Sequence, residues 1–457
     1  MINGKLPVRE KICYGFGDCA YSLTYVFLQI FILAYMTNVA KLPTMAAGTL
    51  VLVANIFDAV NDPMIGYIAD RKHTKIGRYR PWILFACVPS ALFLVLCFMT
   101  PDISVTGRIV YSYAVFLIWT VLKTCVQVPY AALSAAMTPD ANERAKLGAI
   151  REWGANIGSL IISLGVVNIV GHYGDTSPTG YRIAVIAMAA AGALLYLGTG
   201  LGTKEHVTLA EIEHEHGNQA AAPSVWAALK SIGSNKYALI LIGYCLMGML
   251  AQGVRSNLMT YYVVNYLEDP NLTAMSVLMT ETYIIPVCGV LLVPVLTKKF
   301  GRRKIMIFGS ACMTLVGVVT LLAKRNLPLV YLGGALIGVA YCFTLSVVWG
   351  ALPDASDYGY HKTGVSVPGM LFAFATLAMG CGSGVAGFLA SVVLNFFHYD
   401  NTALVQSESV CNGIYLGFGG ATIIFGILMM VCGFLYTLNE DKMIKIRADL
   451  EERMARN

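Results

Sequence analysis

The chain is 457 residues long, 57% hydrophobic and only 13% charged, where a soluble domain carries about a quarter charged residues. That balance excludes a water-soluble globular fold and predicts a chain whose solvent is lipid. The net charge of +6 sits in short loops rather than along one basic face, which excludes a nucleic-acid surface.

Apolar runs long enough to cross a hydrocarbon core of about 30 Å recur along the sequence. They are far longer than the alternating ten-residue strands of a membrane barrel, so they predict helices. In chain order the expected spans are 12–38, 45–70, 81–100, 108–137, 148–171 and 181–201, then 237–266, 274–297, 304–323, 328–353, 364–396 and 412–437. No small-residue cleavage site follows the first apolar run, which is therefore expected to stay as a helix. A polar stretch rich in Glu, His and Ala fills 203–235, and the tail 438–457 reads as a solvated helix. Arg71, Lys72, Lys75, Arg78 and Arg80 follow the second span; Lys298, Lys299, Arg302, Arg303 and Lys304 follow the eighth. The loops after spans 5, 7 and 11 carry no Lys or Arg, and Lys324 with Arg325 is the main exception on that side. The positive-inside rule then puts both termini in the cytoplasm of a cell inner membrane.

The two basic loops occupy matching places six spans apart. The expected fold is therefore an all-α membrane protein of about twelve helices in two pseudo-symmetric bundles, the major facilitator arrangement. Its parts are an N-terminal bundle 1–202, a linker 203–235, a C-terminal bundle 236–437 and a cytoplasmic tail 438–457. No G-x-x-x-x-G-K-[ST] loop occurs, so direct use of ATP is not expected. The twelve Cys lack C-x-x-C or Cys/His spacing, and no nucleophile–base pair is visible. An enzyme, a cofactor and an obligate protein partner are accordingly not expected.

Ionisable residues inside the spans are costly and need a reason. Asp58 and Asp62 stand i, i+4 on the second helix, so both carboxylates project from one face. Two acids that close repel unless one is protonated or a cation lies between them. Asn61 and Thr124 offer neutral oxygens of the kind Na⁺ prefers, making Asp58 and Asp62 its metal ligands if the chain is sodium-coupled. Pro63 cannot donate to the carbonyl of Ala59 and loosens the helix there. The alternative is an ion pair with Lys123 or Arg151. Lys123 and Arg151–Glu152 suit sugar hydroxyls or a carboxylate, or else a charge pair within the first bundle. Asp18 is a substrate contact or a helix-end hydrogen bond. Arg255 and Glu281 read as partners, and Asp354, Asp357 and Lys362 as a charge network at the end of span 10. Trp349 is either a platform for a pyranose ring or an interfacial anchor.

The segments "KICYGFGDCAYS", "FDAVNDPMIGYIADRKHTKIGRYRPWIL", "VPYAALSAAMTPDANERAKLGAIR" and "DASDYGYHKTGVSVPGMLFAF" together resemble the glycoside–pentoside–hexuronide:cation symporters through most of the chain. The resemblance implies a sugar carried inward with Na⁺ or H⁺ by alternating access. It implies that Asp58, Asp62 and Thr124 serve the cation and that Arg151 contacts sugar. The chain departs from the family's galactoside-carrying members at several places. Their first-helix acid falls on Ser22, their fourth-helix acid on Gln127, the aromatic after it on Ala131 and the helix-eleven lysine near Thr376. With Asp18, Lys123 and Trp349 added from the residues themselves, the candidate substrate contacts are Asp18, Ser22, Lys123, Gln127, Arg151, Trp349 and Thr376. Lys123, beside Thr124, either stands in for Na⁺ or receives an acidic sugar. The rival readings are a carrier of a non-sugar solute, lipid or organic anion, and a transport-like sensor.

Overall fold

The computed structural model describes residues 6–71, 74, 76–138, 141–206, 225–289, 293–364, 368–401, 403, 405–438, 442–446 and 449. Apart from an isolated Thr74–Gly77 bridge, regular structure among these residues is helical. Eleven described helices are long and apolar enough to cross a membrane. The expected eighth span is described as two pieces, Thr273–Gly289 and Val293–Phe300, with 290–292 outside the described residues. Most of the expected linker and tail, and Lys72 and Lys75 of the first basic loop, also lie outside them.

Contacts group the chain into two compact units. One holds Met1–Gln219, Met259–Thr280 and Gly387–Gly413; the other holds Ala220–Leu258, Glu281–Ala386 and Ile414–Asn457. In the first, α1 (Val8–Val39), α2 (Thr44–Arg71), α3 (Arg80–Cys97), α4 (Val105–Met137), α5 (141–173) and α6 (Pro178–Gly202) follow one another. α1 packs on α5 and α6, α3 on α4 and α6, and α2 on α4. The α1–α5 contact rests on "GANIG": a Cβ on Gly154 would lie 2.3 Å from the Gly15 carbonyl oxygen, and one on Gly158 2.7 Å from that of Cys19. Small residues four apart let the two backbones meet, as apolar side chains would not.

The basic loop between α2 and α3 is held by Glu205. Its carboxylate accepts the backbone N–H groups of Arg78, Tyr79 and Arg80 at 2.8, 2.9 and 3.1 Å. These are orphan donors of a helix start, where a negative charge is favoured. Gly77 (φ 130°) leads into this turn, and a Cβ there would strike the Glu205 carboxylate at 2.4 Å. At the same end of the unit Glu143 takes Lys11 at 2.6 Å, Lys146 at 2.7 Å and the Leu6 N–H at 3.3 Å. The hydrogen bonds from Lys11 and Lys146 bring its carboxyl down to about 2.

At the opposite end α1 widens into an i→i+5 turn over Tyr35–Val39, with the Ala40 N–H donating to the Tyr35 carbonyl at 2.9 Å. Here Asn38 donates to Asp175 at 2.9 Å and accepts from the Tyr399 hydroxyl at 3.0 Å. Thr37 shares a 2.5 Å hydrogen bond with Tyr261, whose ring meets Tyr399 edge-on at 5.2 Å. Ser276 donates to the Ser163 carbonyl at 2.5 Å. Asp175, in the turn before α6, is buried, which pushes its carboxyl above the usual range.

The second unit contains α7 (Val225–Ser234), most of α8 (Lys236–Tyr266), part of α9 (Thr273–Gly289), α10 (Val293–Phe300), α11 (Arg302–Ala323), α12 (Leu327–Thr363), most of α13 (Pro368–Phe396) and most of α14 (Glu408–Leu435). α11 packs along α12. Met306, Met313, Val347, Leu352 and Tyr436 lie in its core, and the buried Tyr244 hydroxyl donates to the Met306 carbonyl at 3.1 Å. Asp354 pairs with Arg302, while Lys362 donates to the Ser234 carbonyl at 2.7 Å. Asp354 and Lys362, two members of the expected Asp354, Asp357 and Lys362 network, thus each reach a neighbouring helix. Nor do Arg255 and Glu281 pair. The Arg255 guanidinium lies 4.1 Å over Phe418 and donates to Thr320 at 3.2 Å, and Glu281 Oε2 has no hydrogen-bond partner among the described residues.

Candidate functional site: a carboxylate pair with its own cation

α2 and α4 bring together four side chains that the sequence singled out. Asp58 and Asp62 project from one face of α2, and the consecutive Lys123 and Thr124 meet them from α4. The Thr124 hydroxyl, fully buried, lies 3.1 Å from Asp58 Oδ1 and 2.9 Å from Asp62 Oδ1. Lys123 Nζ lies 2.6 Å from Asp58 Oδ2. Its side chain is 9% exposed and that of Asp58 20%. Tyr25 of α1 supports the ammonium, with its ring centroid 5.1 Å from Nζ and its face stacked on Tyr21 at 4.9 Å. A cation over an aromatic face is held by the ring quadrupole. Tyr25 was not foreseen; it marks the face of α1 that meets the lysine, which a sequence period alone does not fix.

The pairing answers the alternatives left open by the sequence. Asp58 forms an ion pair, and its partner is Lys123 rather than Arg151. Asp62 has Thr124 and no ion-pair partner among the described residues. Asn61 is buried, and its Nδ2 has no hydrogen-bond partner among the described residues, so it donates to neither carboxylate.

Arg151 belongs to a second pair. Its Nε lies 2.6 Å from Asp18 Oδ2 and its Nη2 3.3 Å from Oδ1, and the guanidinium rests 5.1 Å from the Tyr130 centroid. The Arg151 carboxylate partner is therefore Asp18 on α1, not the adjacent Glu152. The "GANIG" approach of α5 to α1 sets this pair, and that sequence signal was readable. Ser22 is buried against Gly158, where a Cβ would meet it at 2.8 Å. Gln127 accepts from Tyr196 at 3.5 Å. In the second unit Trp349, 40% exposed, stacks on Phe372 at 6.0 Å and 11°. Thr376, one turn on from Phe372, donates to the Phe372 carbonyl at 3.0 Å. Among the described residues no group of three His, Cys, Asp or Glu is placed to hold a metal ion.

A membrane chain with this helical order matches, over residues 13–440, the family described as MFS/sugar transport protein. The chain belongs to that family. As a member it is a multi-pass membrane transporter and not an enzyme. It is 28% identical to a putative sulfoquinovose importer of Escherichia coli, over 98% of this chain and 95% of that one. It is equally 28% identical to the putative glycoside/cation symporter YagG of Escherichia coli, over 99% of this chain and 96% of that one. Among solved structures it is similar to a D323A mutant of the nucleoside transporter NupG, with a TM-score of 0.66, 14% identity and coverage of 93% and 99%. At that identity the likeness speaks for the major facilitator fold.

Proposed function

We propose that this MFS member imports a sugar by symport with a cation through alternating access, in an inner membrane with both termini in the cytoplasm. The observation that carries the reading is the Asp58–Asp62 pair, two acids one helical turn apart in a membrane helix and joined through a single buried hydroxyl. Carboxylates there are expensive, and a cycle that binds and releases positive charge is what offsets the cost. The names of the relatives support sugar as cargo and a cation as its driver. One charge entering supplies roughly 2.3 kcal/mol per 100 mV, enough for roughly forty-fold accumulation of a neutral solute.

Within that class an uncharged glycoside fits best. Lys123 and Arg151, the two basic residues nominated for an acidic sugar, are each already neutralised by an aspartate. The test is uptake into right-side-out vesicles of a radiolabelled panel of neutral glycosides and one hexuronide. Concentrative uptake of a neutral member is expected. Accumulation of the hexuronide alone contradicts the uncharged cargo, and accumulation of no sugar contradicts the reading as a whole.

A further inference from the structure

We propose that Lys123 is the resident cation of the carboxylate site and that its ammonium denies Na⁺ access to Asp58. The inference rests on reading Asp58 and Asp62 as the cation pair, and it names which ion the pair refuses.

A hard cation is held by a shell of oxygens. The side-chain oxygens seen to converge here are four from the two carboxylates and one from Thr124. Asp58 Oδ2 is engaged by Lys123 Nζ at 2.6 Å. Asp58 Oδ1 and Asp62 Oδ1 both converge on the Thr124 hydroxyl. Asp62 Oδ2 is the one carboxylate oxygen that these side chains leave unengaged. The residues present therefore do not fit Na⁺ in this arrangement.

Charge works in the same direction as oxygen count. An ion bridging the two carboxylates sits within a few ångströms of the ammonium, where the repulsion is weakly screened because Lys123 and Thr124 are buried. The ammonium is also seated independently of Asp58, since the Tyr25–Tyr21 stack lies under it. It is tethered by a four-carbon stem to the residue beside Thr124, so it enters with the fold and needs no ion concentration to fill the place. Shortening that stem removes the competitor and returns Asp58 Oδ2 to the oxygen set.

The test uses the purified full-length chain without sugar. Wild type, Asp58→Asn, Lys123→Ala and Lys123→Ala/Asp58→Asn are compared by ²²Na⁺ equilibrium dialysis, and by thermal unfolding in NaCl against choline chloride at equal ionic strength. Wild type is expected to show no saturable ²²Na⁺ binding and no Na⁺-specific shift. Lys123→Ala gains both, and the double variant loses both. If Lys123→Ala does not fold, Lys123→Met, close in length and uncharged, takes its place. Saturable binding by wild type that Asp58→Asn abolishes overturns the proposal, as does a folded Lys123 variant that still ignores Na⁺. Either failure leaves the sugar reading standing, because vesicle uptake tests that reading separately.

Discussion

Two of the polar clusters in the first unit, around Asn38 and around Asp58, differ in what their groups are joined to. Around Asn38 the amide, two tyrosine hydroxyls, a threonine and one carboxylate bond to one another, drawn from α1, the turn before α6, the end of α8 and the loop after α13. Around Asp58 two carboxylates share a single hydroxyl while one ammonium pairs with Asp58 alone, all from α2 and α4. The first cluster is a set of donors matched to acceptors, which fixes an arrangement. The second carries an excess negative charge and one donor hydrogen between two acceptors. Matched clusters hold a fold in place; an unmatched one is where a transient positive charge has work to do.

The largest change expected comes from separating α1 and α5. Gly154→Leu drives a side chain into the Gly15 carbonyl, and overpacking of this kind costs about 3 kcal/mol. It lowers the unfolding temperature of the purified chain, and Asp18→Asn then adds little because the Asp18–Arg151 pair is already parted. Full additivity of the two substitutions breaks the claim that the glycine contact sets the pair.

Asn38→Ala comes next. It removes the donor to Asp175 and an acceptor of Tyr399, a loss of about 2 kcal/mol for buried groups left short of partners. Asp62→Asn, by contrast, is expected to leave the unfolding temperature close to wild type. Equal destabilisation by the two erases the distinction between the clusters.

Glu143 provides a charged cluster that is fully matched. Its carboxyl titrates at about 2 when folded against an ordinary 4.5. A depressed acid contributes stability above its unfolded pKa, and that contribution is lost as pH falls through the folded one. Glu143→Gln is therefore less stable than wild type at neutral pH, and the gap closes between about 4.5 and about 2. A gap that is constant with pH refutes the assignment.

The smallest effect is expected at Asp175. Its carboxyl is raised by burial, so the folded state favours the protonated form. Stability from such a group is greatest below the unfolded pKa and falls as pH rises through the folded one. Asp175→Asn retains an acceptor for Asn38 and gives a slight rise in unfolding temperature at neutral pH, vanishing in acid. A fall at neutral pH shows that the charge itself, not the acceptor, holds the cluster.

The sequence showed the parts of this picture that depend on local spacing. Twelve apolar runs and the i, i+4 aspartates follow from helical geometry and chain order, while Thr124 as their hydroxyl came from the resemblance to the symporter family. What it did not show depends on contacts between distant segments. Asn38 meets Asp175 and Tyr399 through turns that bring far-apart residues together, and no periodicity announces it. Asp58 had two basic candidates, and only the rotation of α4 against α2 selects Lys123. Arg255 and Glu281 looked complementary as charges, yet Arg255 lies over Phe418. Gly154 and Gly158 are the intermediate case, a readable spacing whose partner helix required the fold.

The most direct test is accumulation against a gradient. Vesicles bearing wild type or Asp62→Asn are energised, and uptake of the transported glycoside is followed alongside counterflow, which needs binding and exchange but no coupling. The account predicts wild-type accumulation, and counterflow without accumulation in Asp62→Asn. Accumulation by Asp62→Asn to the wild-type level contradicts it.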